Sequence, residues 1–182
     1  MSSGPDLKGA VFFDLSKGAV RLDNDAALLV PASAMGALLA AAPSEARAKA
    51  GGAVGEAMGA RAQKRLGGAD GVRGASLESA IAHLGGELAL GGYGTLGLER
   101  WGRALVLHVA GAAFDAPDFY ASLVASAVGR ATGTAAYSTV LDARDGVRIL
   151  IASAAAAQRV RGWLDSGVAW GDAIARLQGG AA

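Results

Sequence analysis

The clearest alternation of apolar and polar positions runs from Gly94 to Ala152. Thr95-Leu96-Gly97-Leu98-Glu99-Arg100 alternates small or polar with apolar residues, Trp101-Gly102 interrupts the pattern, and Arg103-Ala104-Leu105-Val106-Leu107-His108-Val109-Ala110 resumes as β-rich sequence. This predicts a strand, a tight connection and a second strand. Because side chains alternate along a strand, Leu105, Leu107 and Val109 share one face and Ala104, Val106 and His108 the other. Both faces are largely apolar, as in a central strand. Tyr137–Asp142 and Val147–Ile151 flank Asp145-Gly146, a dipeptide that tolerates the positive φ of hairpin turns. The register stays open, since a two-residue and a four-residue loop both give sensible pairs.

Between the hairpins, Asp115 to Gly133 reads as a helix, with Asp115 as cap, Pro117 in the first turn and Asp118 beside the free backbone N–H groups. Phe119, Leu123 and Ala127 form one stripe, Tyr120, Val124 and Val128 the next, and Gly133 is the stop. The fold class is therefore α+β: N-terminal helices packed on a four-stranded, mostly antiparallel sheet built as hairpin, helix, hairpin, plus a C-terminal helix.

Upstream, Ala10–Phe13 and Ala19–Leu22 bracket Ser16-Lys17-Gly18 as a short hairpin, and Ala27–Val30 reads as a further extended piece ended by Pro31. A helix with Met35, Leu38 and Leu39 on its buried side follows. A longer helix starts at Ser44, read as its cap, and runs to about Leu66, with Glu45 near its start and Arg61, Lys64 and Arg65 near its end, as the helix dipole favours. Gly51, Gly55 and Gly59 repeat every four residues on one face of it. Each costs about 1 kcal/mol against alanine, so the stripe is there to let another backbone approach, within the subunit or across to a second one. A third helix begins at Ser76, with Leu77, Ile81, Leu84 and Leu88 at helical spacing and His83 one turn from Glu87 as a surface pair. Gln158 to Gln178 is helical, with Ser166-Gly167 able to bend or split it. Its stripe contains Trp163, Trp170, Ile174 and Leu177, which either close the core or dock a partner.

A chain of 182 residues forms about one domain. It is 52% hydrophobic but only 5% aromatic, and the alanine-rich, arginine-biased composition suits a GC-rich bacterial genome, so single alanines carry little signal. Net charge is +1 with no basic run, which leaves nucleic-acid binding unsupported. The absence of cysteine excludes disulfides, thiolate zinc sites and a cysteine nucleophile, and suits a cytoplasmic protein. Met1 to Lys8 lacks the pattern of a secretory leader. Ala26 to Ser44 is free of charge over nearly a bilayer's length, but Pro31 and its many small residues favour a buried strand and helix over a span.

Chemistry is sparse. There is no phosphate-binding glycine-lysine loop, zinc-protease helix or serine elbow, and Gly92-Tyr93-Gly94 precedes a strand where a dinucleotide fingerprint follows one. His108 is a strand histidine with apolar neighbours, more in keeping with a buried, hydrogen-bonded ring than a base. Asp23 with Asp25 and Asp142 with Asp145 fall in turns, ordinary places for aspartate. The expectation is no catalytic residue, no metal and no cofactor.

The order of elements, with Ala50-Gly51-Gly52-Ala53-Val54-Gly55-Glu56-Ala57-Met58-Gly59, Leu90-Gly91-Gly92-Tyr93-Gly94-Thr95-Leu96 and the Gly129 helix before Tyr137 to Ile151, resembles the four-vinyl-reductase domain over Val11 to Ser153. That domain is similar in fold to the small subunits of the TRAPP vesicle-tethering complex. The zinc-binding cysteines of the first and the lipid-modified cysteine of the second have no counterpart here. The resemblance implies residues 1–153 as a domain that dimerises through helices, with 154–182 as a C-terminal extension. The expected function is a non-catalytic dimeric scaffold or adaptor whose contact is Trp163, Trp170, Ile174 and Leu177. The alternative is a sensor or carrier holding a small apolar molecule between helices and sheet, lined by Leu105, Leu107, Phe119 and Leu123.

Overall fold

The computed structural model describes residues 7–23 and 25–179. A small antiparallel sheet opens the chain, with β1 (Val11–Asp14), β2 (Ala19–Leu22) and β3 (Asp25–Ala27) in that order. Four helices follow: α1 (Ala32–Ala41), α2 (Ser44–Arg65), α3 (Gly68–Gly74) and α4 (Leu77–Leu90). The main sheet is β4 (Thr95–Trp101), β5 (Ala104–Ala110), β6 (Tyr137–Asp142) and β7 (Val147–Ala152), with α5 (Pro117–Thr132) between its hairpins. Helices α6 (Ala154–Asp165) and α7 (Trp170–Gly179) end the chain. The fold is α+β, and every pairing in the main sheet, ordered β4-β5-β7-β6, is antiparallel.

Residues 143–146 connect β6 to β7, with an irregularity between Val140 and Asp142, which resolves the register the sequence leaves open. Gly146 has φ +71°, and a Cβ there would lie 2.3 Å from the Val109 carbonyl oxygen. Strand β5 is central, as its two apolar faces require. Leu105, Leu107 and Val109 join the main core under α4 and α5, while Val106 joins a second core under α6 and α7.

Helix α2 lies on α5 as an outer layer. A Cβ on Gly51, Gly55 or Gly59 would come within 2.1, 2.2 and 2.5 Å of the carbonyl oxygens of Phe119, Leu123 and Ala127. The helices therefore run parallel at a constant offset, the same 68-residue separation that joins Gln63 to the Ala131 carbonyl. In each glycine the hydrogen that replaces Cβ points at a carbonyl, the geometry of a Cα–H···O contact. The stripe thus packs inside the subunit. Arg47 adds a bidentate grip on Asp118 at 2.8 and 2.9 Å, tying the first turns of both helices.

Several local expectations change. Leu38 of α1 is 65% exposed, and only Leu39 on that helix is buried. Neither Ser44 nor Asp115 caps: Pro43 and Ala116 occupy the cap positions without a side-chain bond, since Asp118 and Arg47 already hold that corner. Ser76 does cap α4, accepting from the Ser79 N–H. The extended piece near Ala27 ends as β3 and leaves Leu28–Val30 outside any strand. The C-terminal helix is split, with Gly167 at φ +82° between α6 and α7.

The largest correction concerns Glu87. It is fully buried rather than a surface partner of His83, whose Nδ1 instead meets the Ser79 carbonyl at 2.9 Å. Glu87 accepts from Arg61 Nε at 2.7 Å and Arg65 Nε at 2.8 Å, and Arg65 Nη2 also donates to both oxygens of Asp23. A buried carboxylate is tolerated only when it is paired and its lone pairs are filled, and two guanidinium groups do both.

Three substitutions test this packing. Gly55→Ala gains about 1 kcal/mol of helix propensity but must push two backbones apart, so urea unfolding should show a net loss of about 2 kcal/mol. Gly162→Ala, at an exposed α6 position with open space around it, should instead gain up to about 1 kcal/mol. Glu87→Gln leaves Arg61 and Arg65 without their shared counter-charge and should cost about 3 kcal/mol in the same assay; an unchanged midpoint would show the network contributes nothing.

Candidate ligand cavity

Where α4 ends, Gly91-Gly92-Tyr93 turns the chain into β4. A Cβ on Gly91 would sit 2.7 Å from the Tyr93 ring, so glycine is what lets that ring fold back over the helix end. Phe114, in the loop before α5, meets Tyr93 edge-on at 6.1 Å. Behind them lie Phe119 and Tyr120 of α5, both buried, and the four rings pack at centroid separations of 5.2 to 6.1 Å. The Tyr120 hydroxyl accepts the Ala113 N–H at 2.8 Å, which fixes the loop that presents Phe114. Helix α1 approaches from the other side, and Gly36 lets it come within contact of the Phe114 Cβ.

In front of this cluster is a half-open cavity of about 400 Å³. Its walls are Leu28–Val30, Ala32 and Met35 of α1, Gly91–Tyr93, and Ala113-Phe114. No charged side chain lines it. Burial pushes the Tyr93 hydroxyl above its ordinary value, a shift that the nearby Arg61 charge opposes, so the ring is a neutral phenol at neutral pH. Burial raises the Tyr120 hydroxyl as well. The arrangement suits an uncharged ring, which can meet Phe114 and Tyr93 in edge-to-face contact.

The chain is similar in fold to a solved sensory domain. The phenol-responsive sensory domain of the transcription activator PoxR, crystallised with phenol, superposes with a TM-score of 0.61 at 14% identity, covering 94% of this chain and 93% of that one. At that identity the likeness is one of fold. No family model matches this sequence, and no curated protein matches it.

The residues singled out from sequence fall elsewhere. Leu107, Phe119 and Leu123 are fully buried core and Leu105 packs against the same cluster. Phe119 backs the cavity through its contacts with Tyr93 and Phe114, while Leu123 borders only a void of about 10 Å³, the smallest space that admits a water. Trp163, Trp170 and Leu177 are half-buried against the second core, and Ile174 is fully buried in it. Trp170 meets Trp101 edge-on at 4.7 Å, so this helix pair covers the outer face of the sheet. His108 is partly exposed, its Nε2 donating to the Asp145 carbonyl at 2.8 Å. Among the described residues no group of three or more potential ligands is placed to hold a metal ion, and no helix is long and apolar enough to cross a membrane.

Sequence reasoning missed Tyr93, Phe114 and the Leu28–Val30 segment. The available signal was aromatic content: in a chain with so few rings, Tyr93, Phe114, Phe119 and Tyr120 fall in two short stretches beside glycine turns. A larger trough of about 520 Å³ lies between α5, β6 and α6, but it is shallow and lined by small side chains such as Ser122, Ser126 and Ala157, with Arg161 across it.

Tyr120→Phe tests the loop anchor. It removes the acceptor for the Ala113 N–H and should cost about 1 kcal/mol. Faster amide exchange at Ala113, with the rest of α5 unchanged, is the expected local result.

Proposed function

We propose that this chain is a non-catalytic sensory module that binds a small, uncharged, ring-containing molecule in the cavity between Phe114, Tyr93 and the Leu28–Val30 segment. One observation carries the reading: an apolar cavity of about 400 Å³ without a charged lining group, set against a cluster of four aromatic rings. The fold, matched nearly end to end by a phenol-responsive sensory domain, is in keeping with it. The resemblance to the four-vinyl-reductase domain belongs to the same proposal, as a domain type that takes an apolar ligand between helices and sheet.

The scaffold reading loses its main argument, because the tryptophans meant to face a partner are turned onto the sheet. Ligand size follows from the walls. A single ring fits beside Phe114, and a carboxylate would enter without a cation to pair it, at a cost of several kcal/mol.

Isothermal titration calorimetry with phenol, toluene and benzoate separates the possibilities. Phenol and toluene should bind and benzoate should not, and Phe114→Ala should weaken the first two by about tenfold, the loss of one edge-to-face contact. Equal binding of benzoate, or no heat with phenol or toluene, would overturn the assignment.

A further inference from the structure

Resting on that reading of the cavity, we infer that Leu28–Val30 is a strap that closes over the bound molecule, moored at one end by the Asp23–Arg65 clasp and at the other by α1. The strap is apolar yet stands away from the rings it faces: Leu28 is 88% exposed and Leu29 72%, while both line the cavity. Three consecutive large apolar side chains beside an apolar hollow are a surface awaiting something to cover.

Its two moorings differ. On the C-terminal side Leu39 of α1 is buried in the main core, with Met35 packed against it, so that end is fixed. On the N-terminal side the strands of the small sheet contact one another and hardly touch the rest of the molecule. Asp23, at φ +53° between β2 and β3, ties this sheet to α2, gripped by Arg65 Nη2 at 2.8 and 3.0 Å. Arg65 in turn is held by Glu87, the buried carboxylate near the end of α4, and α4 leads directly into Gly91–Tyr93, the opposite wall. Arg65 thus links the strap's N-terminal mooring to the helix that carries the opposite wall. The clasp is an ion pair at the edge of the core, which can hold the sheet while letting the strap swing, whereas a packed apolar contact would fix it.

A ring entering the cavity offers Leu28 and Leu29 the apolar surface they now lack, so occupancy and the position of the small sheet are coupled. Hydrogen exchange of the full chain with and without saturating phenol, alongside the Tyr93 ring resonance by NMR, tests this. Phenol should shift Tyr93 and slow exchange at Leu28–Val30 by about tenfold. Asp23→Asn, which keeps a residue tolerant of positive φ but drops the charge, should abolish that protection. A shifted Tyr93 with unchanged strap exchange would overturn the strap and leave the ligand site standing; full protection in Asp23→Asn would overturn the clasp as its mooring. An unmoved Tyr93 would sink the site and the strap together.

Discussion

The backbone contact between α2 and α5 is the constraint on which the rest depends. Three glycines at four-residue spacing clear the middle of one face of α2 of side chains, so that the carbonyl oxygens of α5 can approach its backbone. Those glycines forgo about 3 kcal/mol of helix propensity, and the close parallel contact must return more than that in dispersion and weak hydrogen bonds. Once α5 is fixed in this way, its opposite side is committed to the sheet. Phe119 and Tyr120 are then placed at the helix's first turns, where the loop carrying Phe114 and the end of α4 must meet them.

Electrostatics play a narrower part. A few ion pairs here are exposed on both sides and worth little, as with Arg73 and Asp70 or Arg100 and Glu78. Glu87 is different because it is wholly buried and bound by two arginines from neighbouring turns of α2. Such a pair is seldom the cheapest way to stabilise a core, and hydrophobic replacement is often neutral. What it provides is direction: a guanidinium that fills the carboxylate on one side and reaches Asp23 on the other makes the small sheet adjacent to α4 without burying it.

The main sheet shows how both faces of one strand can be used. Val106 and Leu150 face α6 and α7, while Leu107 and Ile149 face the helical core. The C-terminal helices are therefore the second cover of the sheet. Without them Val106, Leu150 and Leu141 would be bare to water. This explains why two of the three tryptophans lie on the last helices: a wide aromatic ring covers the end of a sheet with few residues. Thr139 completes the join by donating to the Ala157 carbonyl from a buried position.

What sequence determined by itself was everything governed by local periodicity and backbone permission. The two hairpins, the helix between them, the glycine stripe, the break at Gly167 and the stop at Gly133 were all legible, because strand alternation, helical spacing and positive φ are properties of neighbouring residues. What only the tertiary structure decided were facts about distant pairs. Glu87 looks like a surface acid until Arg61 and Arg65 are brought over it. Ser44 looks like a cap until Arg47 and Asp118 take over that corner. The cavity was least legible of all, since its walls come from three stretches far apart in the chain, and neither Leu28 nor Phe114 shows in its own neighbourhood that the other is near. A helix is written in residues four apart; a pocket exists only where the chain returns to itself.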